Sequence, residues 1–198
     1  ESDWRLANTE SMQSVFVEEN GYELLFEDAQ QKQANQILAV RSFLQQDVDY
    51  IVIAPVTEGG WDTVLLEVKA AGIPVVIVDR MVDVADSTTF TCWVGSDFAL
   101  ESRKVTEWLK AYTEAKRISP ENVHIVNIQG TIGSTSQIGR TEGLRYAVSK
   151  YGWDLVEEAN GDYTAAKAYE EVSRIIRNNR EVNVIYCEND NEAFGAIE

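Results

Sequence analysis

Three kinds of residue are scarce in this 198-residue sequence, and each scarcity removes a class of function. Only two cysteines occur, Cys92 and Cys187, too few for a disulfide framework. Both fall in apolar, strand-like segments and are expected as separate buried thiols. A single histidine, His124, lies inside the run VHIVNI, where a packed or edge position is expected before a catalytic one. Ser134 and Ser136 have no G-x-S-x-G context, and neither cysteine has a histidine partner at a recognisable spacing, so no enzyme is indicated. Basic residues are in deficit, 17 against 33 acidic ones, for a net charge of −16. That balance excludes a nucleic-acid partner, because phosphate binding needs a basic face. The acids are spread along the chain and read as the solvated surface of a monomer. Long apolar runs are missing too. The longest, at 50–56 and 73–78, are strand-sized, well below the roughly 18 residues that cross a bilayer. The chain opens at Glu1 without a methionine and reads as processed or cropped, with room for a lost targeting segment.

Metal and cofactor signals are equally thin, and no cofactor is expected. Glu188, Asp190 and Glu192 lack the loop glycine and ligand count of a calcium loop, and read as helix-start acids favoured by the helix dipole. The stretch from Gly130 to Gly133 lacks both a G-x-G-x-x-G pattern and a P-loop lysine; turn glycines in a ligand loop explain it better.

What the sequence does contain is apolar content of 44% and a regular alternation of strand and helix signals. Strand-like runs lie at 22–26, 50–54, 75–78, 90–94, 123–128, 153–156 and 182–186. Several are continuous Val/Ile runs, as expected of parallel strands buried on both faces. Three-to-four spacings mark helices between them: Ala34, Ile37, Val40 and Leu44; Val105, Trp108, Leu109 and Tyr112; Ala168, Val172, Ile175 and Ile176. Gly21, Gly72 and Gly152 stand where helices should stop, and Pro74 prevents resumption. The pattern is α/β, with right-handed crossovers and doubly wound parallel sheets. At 90–94 a strand follows another without an intervening helix, so a break is expected near 95–97. The expectation is a first lobe over 1–96 and a second over 97–198, joined by short crossings.

Ligands of open parallel sheets bind beyond the carboxyl ends of the strands. The residues there are Asp28, Asp79 and Arg80, Gln129, Asp162 and Tyr163, and Asn189 and Asp190. An Asp after a strand is singly an ordinary turn former. Taken together, these groups suit a sugar. Hydroxyls donate and accept at once, which planar Asp, Asn, Gln and Arg side chains satisfy, and a ring face packs on aromatics such as Trp4 or Tyr163. Two lobes facing across a hinge would gather them in a cleft.

At these residues the sequence resembles the periplasmic sugar-binding family that includes ribose- and galactofuranose-binding proteins. The segments that carry the likeness are SDWRLA at 2–7, DAQQKQANQILAVRSF at 28–43, IAPVTEGGW at 53–61, IPVVIVDR at 73–80, IQGTIGSTSQIGRTEG at 128–143, GDYTAAK at 161–167 and ENDNEAFGAI at 188–197. Trp4–Arg5 and the Gln-rich run at 30–36 are most similar to the galactofuranose branch. The resemblance implies two Rossmann-like lobes of the type I periplasmic binding protein kind, a monosaccharide ligand, an ABC-importer permease as partner, and an extracytoplasmic place. It implies that Trp4 and Arg5 touch the sugar from a first-lobe loop, and that Asp79 and Arg80 are the sugar-binding Asp–Arg pair. Arg140 would be the second-lobe arginine, Tyr163 the aromatic and Asn189 the asparagine of an Asn-Asp motif, with Asp28 and Asp162 as further contacts. The family's first strand would precede Ser2 and further second-lobe strands would follow Glu198, so the sequence reads as an excerpt of a longer one. Two relatives in fold remain open on the residues alone: the effector domain of a LacI-type transcriptional regulator and the sugar-sensing domain of a membrane receptor.

Overall fold

A computed structural model describes residues 2–178 and 181–198. The chain divides into two compact units, Glu1–Ser96 and Asp97–Glu198.

The first unit opens with α1 (Asp3–Val15), capped by the Ser2 hydroxyl, which accepts from the Arg5 amide. This helix buries none of its residues. Helices α2 (Gln33–Gln45) and α3 (Asp62–Ala71) alternate with the parallel strands β1 (Ile51–Ile53), β2 (Val75–Val78) and β3 (Cys92–Val94), in spatial order β1-β2-β3. Gly72 closes α3 at φ +76°, the left-handed conformation that a side chain would strain, and Pro74 follows. Val40 of α2 and Val64, Leu65 and Val68 of α3 pack with Ile51, Ile53, Val75 and Ile77 around a fully buried Trp61. The Trp61 indole N–H donates to the Thr57 carbonyl at 2.9 Å, so burial leaves no polar group unpaired.

Several expectations fail here. The run at 22–26 forms no strand and joins no ladder among the described residues, and Tyr22, Leu24, Leu25 and Phe26 are exposed. In this unit only the central strand β2 has no exposed residue, and the strands beside it are not buried on both faces. Ile51 and Ile53 are buried while Val52 between them is exposed, and all three residues of β3 are exposed. Helices α2 and α3 cover one side of the sheet, and α1, with nothing buried, does not cover the other. Cys92 lies on that β3 strand and is exposed, while Cys187 is half-buried; both are free thiols.

The second unit consists of α4 (Phe98–Ala115), β4 (His124–Gln129), α5 (Thr135–Tyr151), β5 (Asp154–Asn160), α6 (Ala165–Asn178), β6 (Val184–Cys187) and α7 (Asp190–Ile197). The parallel sheet runs β5-β4-β6, with β4 central and buried on both sides. Ile125 packs with Leu109, Leu144, Ala147, Trp153 and Tyr186, whereas Val126 and Ile128 pack with Ala168, Val172 and Ile175 of α6. Strand β5 outruns the expected stretch, because Glu157 and Glu158 stay in the ladder while pairing outward with Arg174 and Arg145. His124 opens β4 with its Nδ1 2.9 Å from Asp154 Oδ2.

The face of α4 is rotated from expectation. Val105, Trp108 and Tyr112 are exposed, and the buried residues are Phe98, Ser102, Thr106, Leu109 and Thr113. A close helix contact explains the choice. A Cβ on Gly143 of α5 would lie 2.5 Å from the Ser102 Cβ, so only small residues fit at the crossing. The Ser102 hydroxyl donates to the Arg140 carbonyl at 3.0 Å.

Candidate functional site

In the first unit three of the expected residues converge. Arg5 reaches across the sequence to Asp79, with Nη2 donating to Oδ2 at 2.6 Å. Arg80 follows with its Nε 3.9 Å from the same oxygen. Asp79 sits just past β2 at φ +62°, with its amide donating to the Val94 carbonyl at 2.8 Å. A non-glycine residue in that conformation is strained, and such strain gathers where a ligand must be met. Arg80 is buried, and its Nη1 donates to the Val56 carbonyl at 2.8 Å. The Gln36 side chain steadies the same stretch by donating to the Ala54 carbonyl and accepting from the Val56 amide. One residue of the Gln-rich run thus fixes the loop on which Arg80 rests.

Trp4 and Arg5 belong to the first turn of α1, not to a loop as expected, and the Arg5 guanidinium lies 5.2 Å from the centre of the exposed Trp4 ring. The Ser2 cap and the acidic Asp3 start the helix there. Asp28 does not join the cluster. Its carboxylate accepts from the Gln30 amide at 2.8 Å in a local turn and makes no ion pair among the described residues.

In the second unit the order β5-β4-β6 places a switch point between β4 and β6, where connections leave in opposite directions. The loops there carry the expected groups. Tyr163 lies at φ +59° beside Asp162 at φ +51°. Its ring covers Gly130 so closely that a Cβ on that glycine would fall 1.8 Å from ring atom Cζ. The Tyr163 hydroxyl donates to Ser136 Oγ at 2.8 Å, and burial raises its pKa. Tyr163 is therefore packed under the loop, with little free ring face. Asp162 accepts from the Thr131 hydroxyl at 3.0 Å. Asn189 caps α7, accepting from the Glu192 amide at 2.8 Å, and its Nδ2 lies 3.4 Å from the Tyr163 carbonyl. Arg140 donates through Nε and Nη2 to Glu101 at 3.1 and 2.9 Å and stacks over Phe98; its charge also faces Tyr163 and Glu188.

Sequence reasoning missed a buried polar network beneath these groups. Glu188 and Glu192, read as helix-start acids, are 3% and 0% exposed. Glu188 accepts from the Thr141 hydroxyl at 2.6 Å and the Gly130 amide at 3.0 Å. Glu192 accepts from the Tyr163 amide at 2.9 Å and the Glu188 amide at 3.0 Å. Thr141 in turn accepts from Gln129 and Gln137, and the Asn127 amide nitrogen closes the cluster while its carbonyl oxygen has no partner. Burial pushes the carboxyl of Glu188 up to about 7 and that of Glu192 up to about 8. The pattern E-N-D-N-E gave only a spacing of four residues, which on a helix places the two acids on one side.

Comparison with known proteins is consistent across the chain. Residues 1–198 match the family model described as periplasmic binding protein domain. The galactofuranose-binding protein YtfQ of Escherichia coli (strain K12) is 37% identical over 202 residues, covering 100% of this chain and 62% of that protein. The periplasmic binding protein component of the arabinose ABC transporter from Shewanella sp. ANA-3, bound to α- and β-L-arabinofuranose, is 40% identical with a TM-score of 0.91. It is covered to 64%, and this chain to 100%. A structure from Mycobacterium smegmatis in complex with β-D-fucofuranose is 37% identical with a TM-score of 0.92, again at 100% and 64% coverage. The chain thus spans somewhat under two thirds of these relatives. Its parallel sheets flanked by helices are those of a type I periplasmic binding protein, and the chain belongs to the periplasmic binding protein domain family.

Proposed function

We propose that the whole protein captures a monosaccharide in its furanose form outside the cytoplasmic membrane and hands it to an ABC importer. The observation that carries this reading is the Arg5–Asp79–Arg80 cluster past β2, a carboxylate hydrogen-bonded by one guanidinium and faced by a second at 3.9 Å, in a chain whose relatives include a galactofuranose-binding protein and structures bound to arabinofuranose and fucofuranose. Sugar hydroxyls donate and accept at once, and a carboxylate held by the Arg5 guanidinium presents its remaining lone pairs at a set angle. In the second unit, Arg140, Asp162 and Asn189 are assigned as sugar contacts, with the buried Tyr163 supporting their loop from below. Capture is read as a hinge-bending step, in which ligand favours the conformer that supplies the larger set of bonds. The reading involves no catalysis, no cofactor and no nucleic acid. The permease is assigned as the partner of a monomer.

A thermal-shift panel on the full-length protein tests it, with L-arabinose, galactofuranose, ribose and fructose as ligands. A sugar at about a hundred times its Kd adds about 2.7 kcal/mol to stability, enough to raise Tm by several degrees. A rise with one furanose-forming sugar is expected. No rise with any of them would sink the sugar-binding reading.

A further inference from the structure

The ligand loops of the second unit include one, after β5, that holds Asp162 and Tyr163 at positive φ, and the groups that hold these loops are not themselves at the surface. Three loops matter: the one after β4, starting at Gly130; the one after β5, containing Asp162 and Tyr163; and the one after β6, leading to Asn189. Each surrenders a backbone N–H to a buried carboxylate. Glu188 takes Gly130, and Glu192 takes Tyr163 with one oxygen and Glu188 with the other. We infer that Glu188 and Glu192 are positioning residues, a two-carboxylate brace that locks the three strand-end loops together and so sets the geometry of the proposed sugar contacts.

The chemistry requires carboxylates in particular. All four oxygens accept: Glu188 from Thr141 Oγ1 and the Gly130 amide, Glu192 from two amides. Thr141 has one proton to give, and because Gln129 and Gln137 both donate to its oxygen, that proton goes to Glu188. An amide in either place turns one acceptor into a donor facing an N–H or O–H, and a carboxylic acid weakens one of its two acceptors. The brace is complete only when both acids are ionised.

The surroundings resist that ionisation. Glu188 faces Glu192 from α7 and shares the Asn127 amide with Glu158 of β5. The Arg140 charge from α5 partly offsets burial at Glu188. The Cys187 thiol, itself pushed up to about 12 by burial, also faces both acids, as the Tyr186 and Tyr163 phenols face Glu188. Burial is the leading cause at both carboxyls, so the brace exchanges protons across the neutral range. The affinity of this half of the site should therefore rise with pH.

The test uses the full-length protein, with amide resonances followed from about pH 5.5 to about pH 9. The Gly130, Tyr163 and Glu188 amides are expected to move together in the parent protein. In Glu192→Gln the Tyr163 and Glu188 amides stop titrating, and in Glu188→Gln the Gly130 amide stops. Calorimetry with L-arabinose and galactofuranose over the same range should give about tenfold tighter binding at the alkaline end. Both Gln variants should bind more weakly at the alkaline end and with a shallower pH dependence, because each keeps one titrating carboxyl. Amides that do not titrate, or Gln variants that keep the full parent pH slope, overturn the brace. Amides that titrate while parent affinity stays flat overturn its positioning role. The affinity arm rests on the sugar-binding reading. If neither sugar binds at any pH, that reading falls while the amide titrations still decide whether the brace exists.

Discussion

Arg140 is a useful probe of ligand chemistry because its ion-pair partner stays solvated when it is removed. Its partner Glu101 has a side chain 40% exposed, so truncation leaves a carboxylate that water can solvate. Arg140→Ala is expected to lower sugar affinity at least tenfold, about 1.4 kcal/mol, with Tm nearly unchanged. Calorimetry and a melting curve on the same sample check it; undiminished affinity would remove Arg140 from the site. Arg80 would be a poorer probe, because its guanidinium also holds the Val56 carbonyl. The residue types of the site were readable because strand ends in a parallel sheet are known places for ligands. Their conformations were not. Asp79, Asp162 and Tyr163 all sit at positive φ, at a cost of order 1–3 kcal/mol each, and only the surrounding bonds can hold them there.

Between elements, small residues decide more than large ones. The exposed Val105, Trp108 and Tyr112 carry the stronger periodic signal on α4, yet the helix turns Ser102, Thr106 and Leu109 inward to meet α5. Gly143→Ala should therefore cost about 1–3 kcal/mol, since its methyl would meet the Ser102 Cβ, while Trp108→Ala should cost about 0.5 kcal/mol or less. Urea unfolding distinguishes them, and equal losses would mean the crossing is loose. The run at 22–26 teaches the complementary lesson. Its residues have strand preferences, but a strand needs a neighbour for its ladder, and none lies beside it among the described residues. Where both neighbours exist, as at β4, the pattern and the structure agree.

For the molecule as a whole, the two buried acids make stability depend on pH in an uncommon direction. Their folded pKa values, about 7 and about 8, lie above the ordinary 4.5. Stability from keeping them protonated is full below about pH 4.5 and is lost as pH rises through 7 to 8. The loss reaches at most about 1.4 kcal/mol per pH unit for each proton released. Denaturant midpoints should fall between pH 5 and pH 8, and fall less in Glu192→Gln. A midpoint that rises over that range would contradict the burial argument. Affinity and stability are thus expected to move in opposite directions, a pairing that simple loosening of the fold would not produce. The general acidity, −16 over 198 residues, does not cause this; those charges are mostly solvated.

By itself the sequence determined the α/β alternation, the parallel strands at the centre of each sheet, the helix stops at Gly72 and Gly152, and the chemical character of the strand-end residues. These depend on local periodicity, on backbone conformations that glycine alone adopts readily, and on which side chains can pair with hydroxyls. The tertiary structure alone decided which face of α4 is buried, that Trp4 and Arg5 are helical, that Asp28 stands apart from Arg5 and Asp79, and that Glu188 and Glu192 lie inside. Each of those outcomes turns on contacts between residues far apart in the chain. A carboxylate reads as a surface group until the fold brings it a ring of donors, and no pattern of near neighbours shows that those donors will arrive.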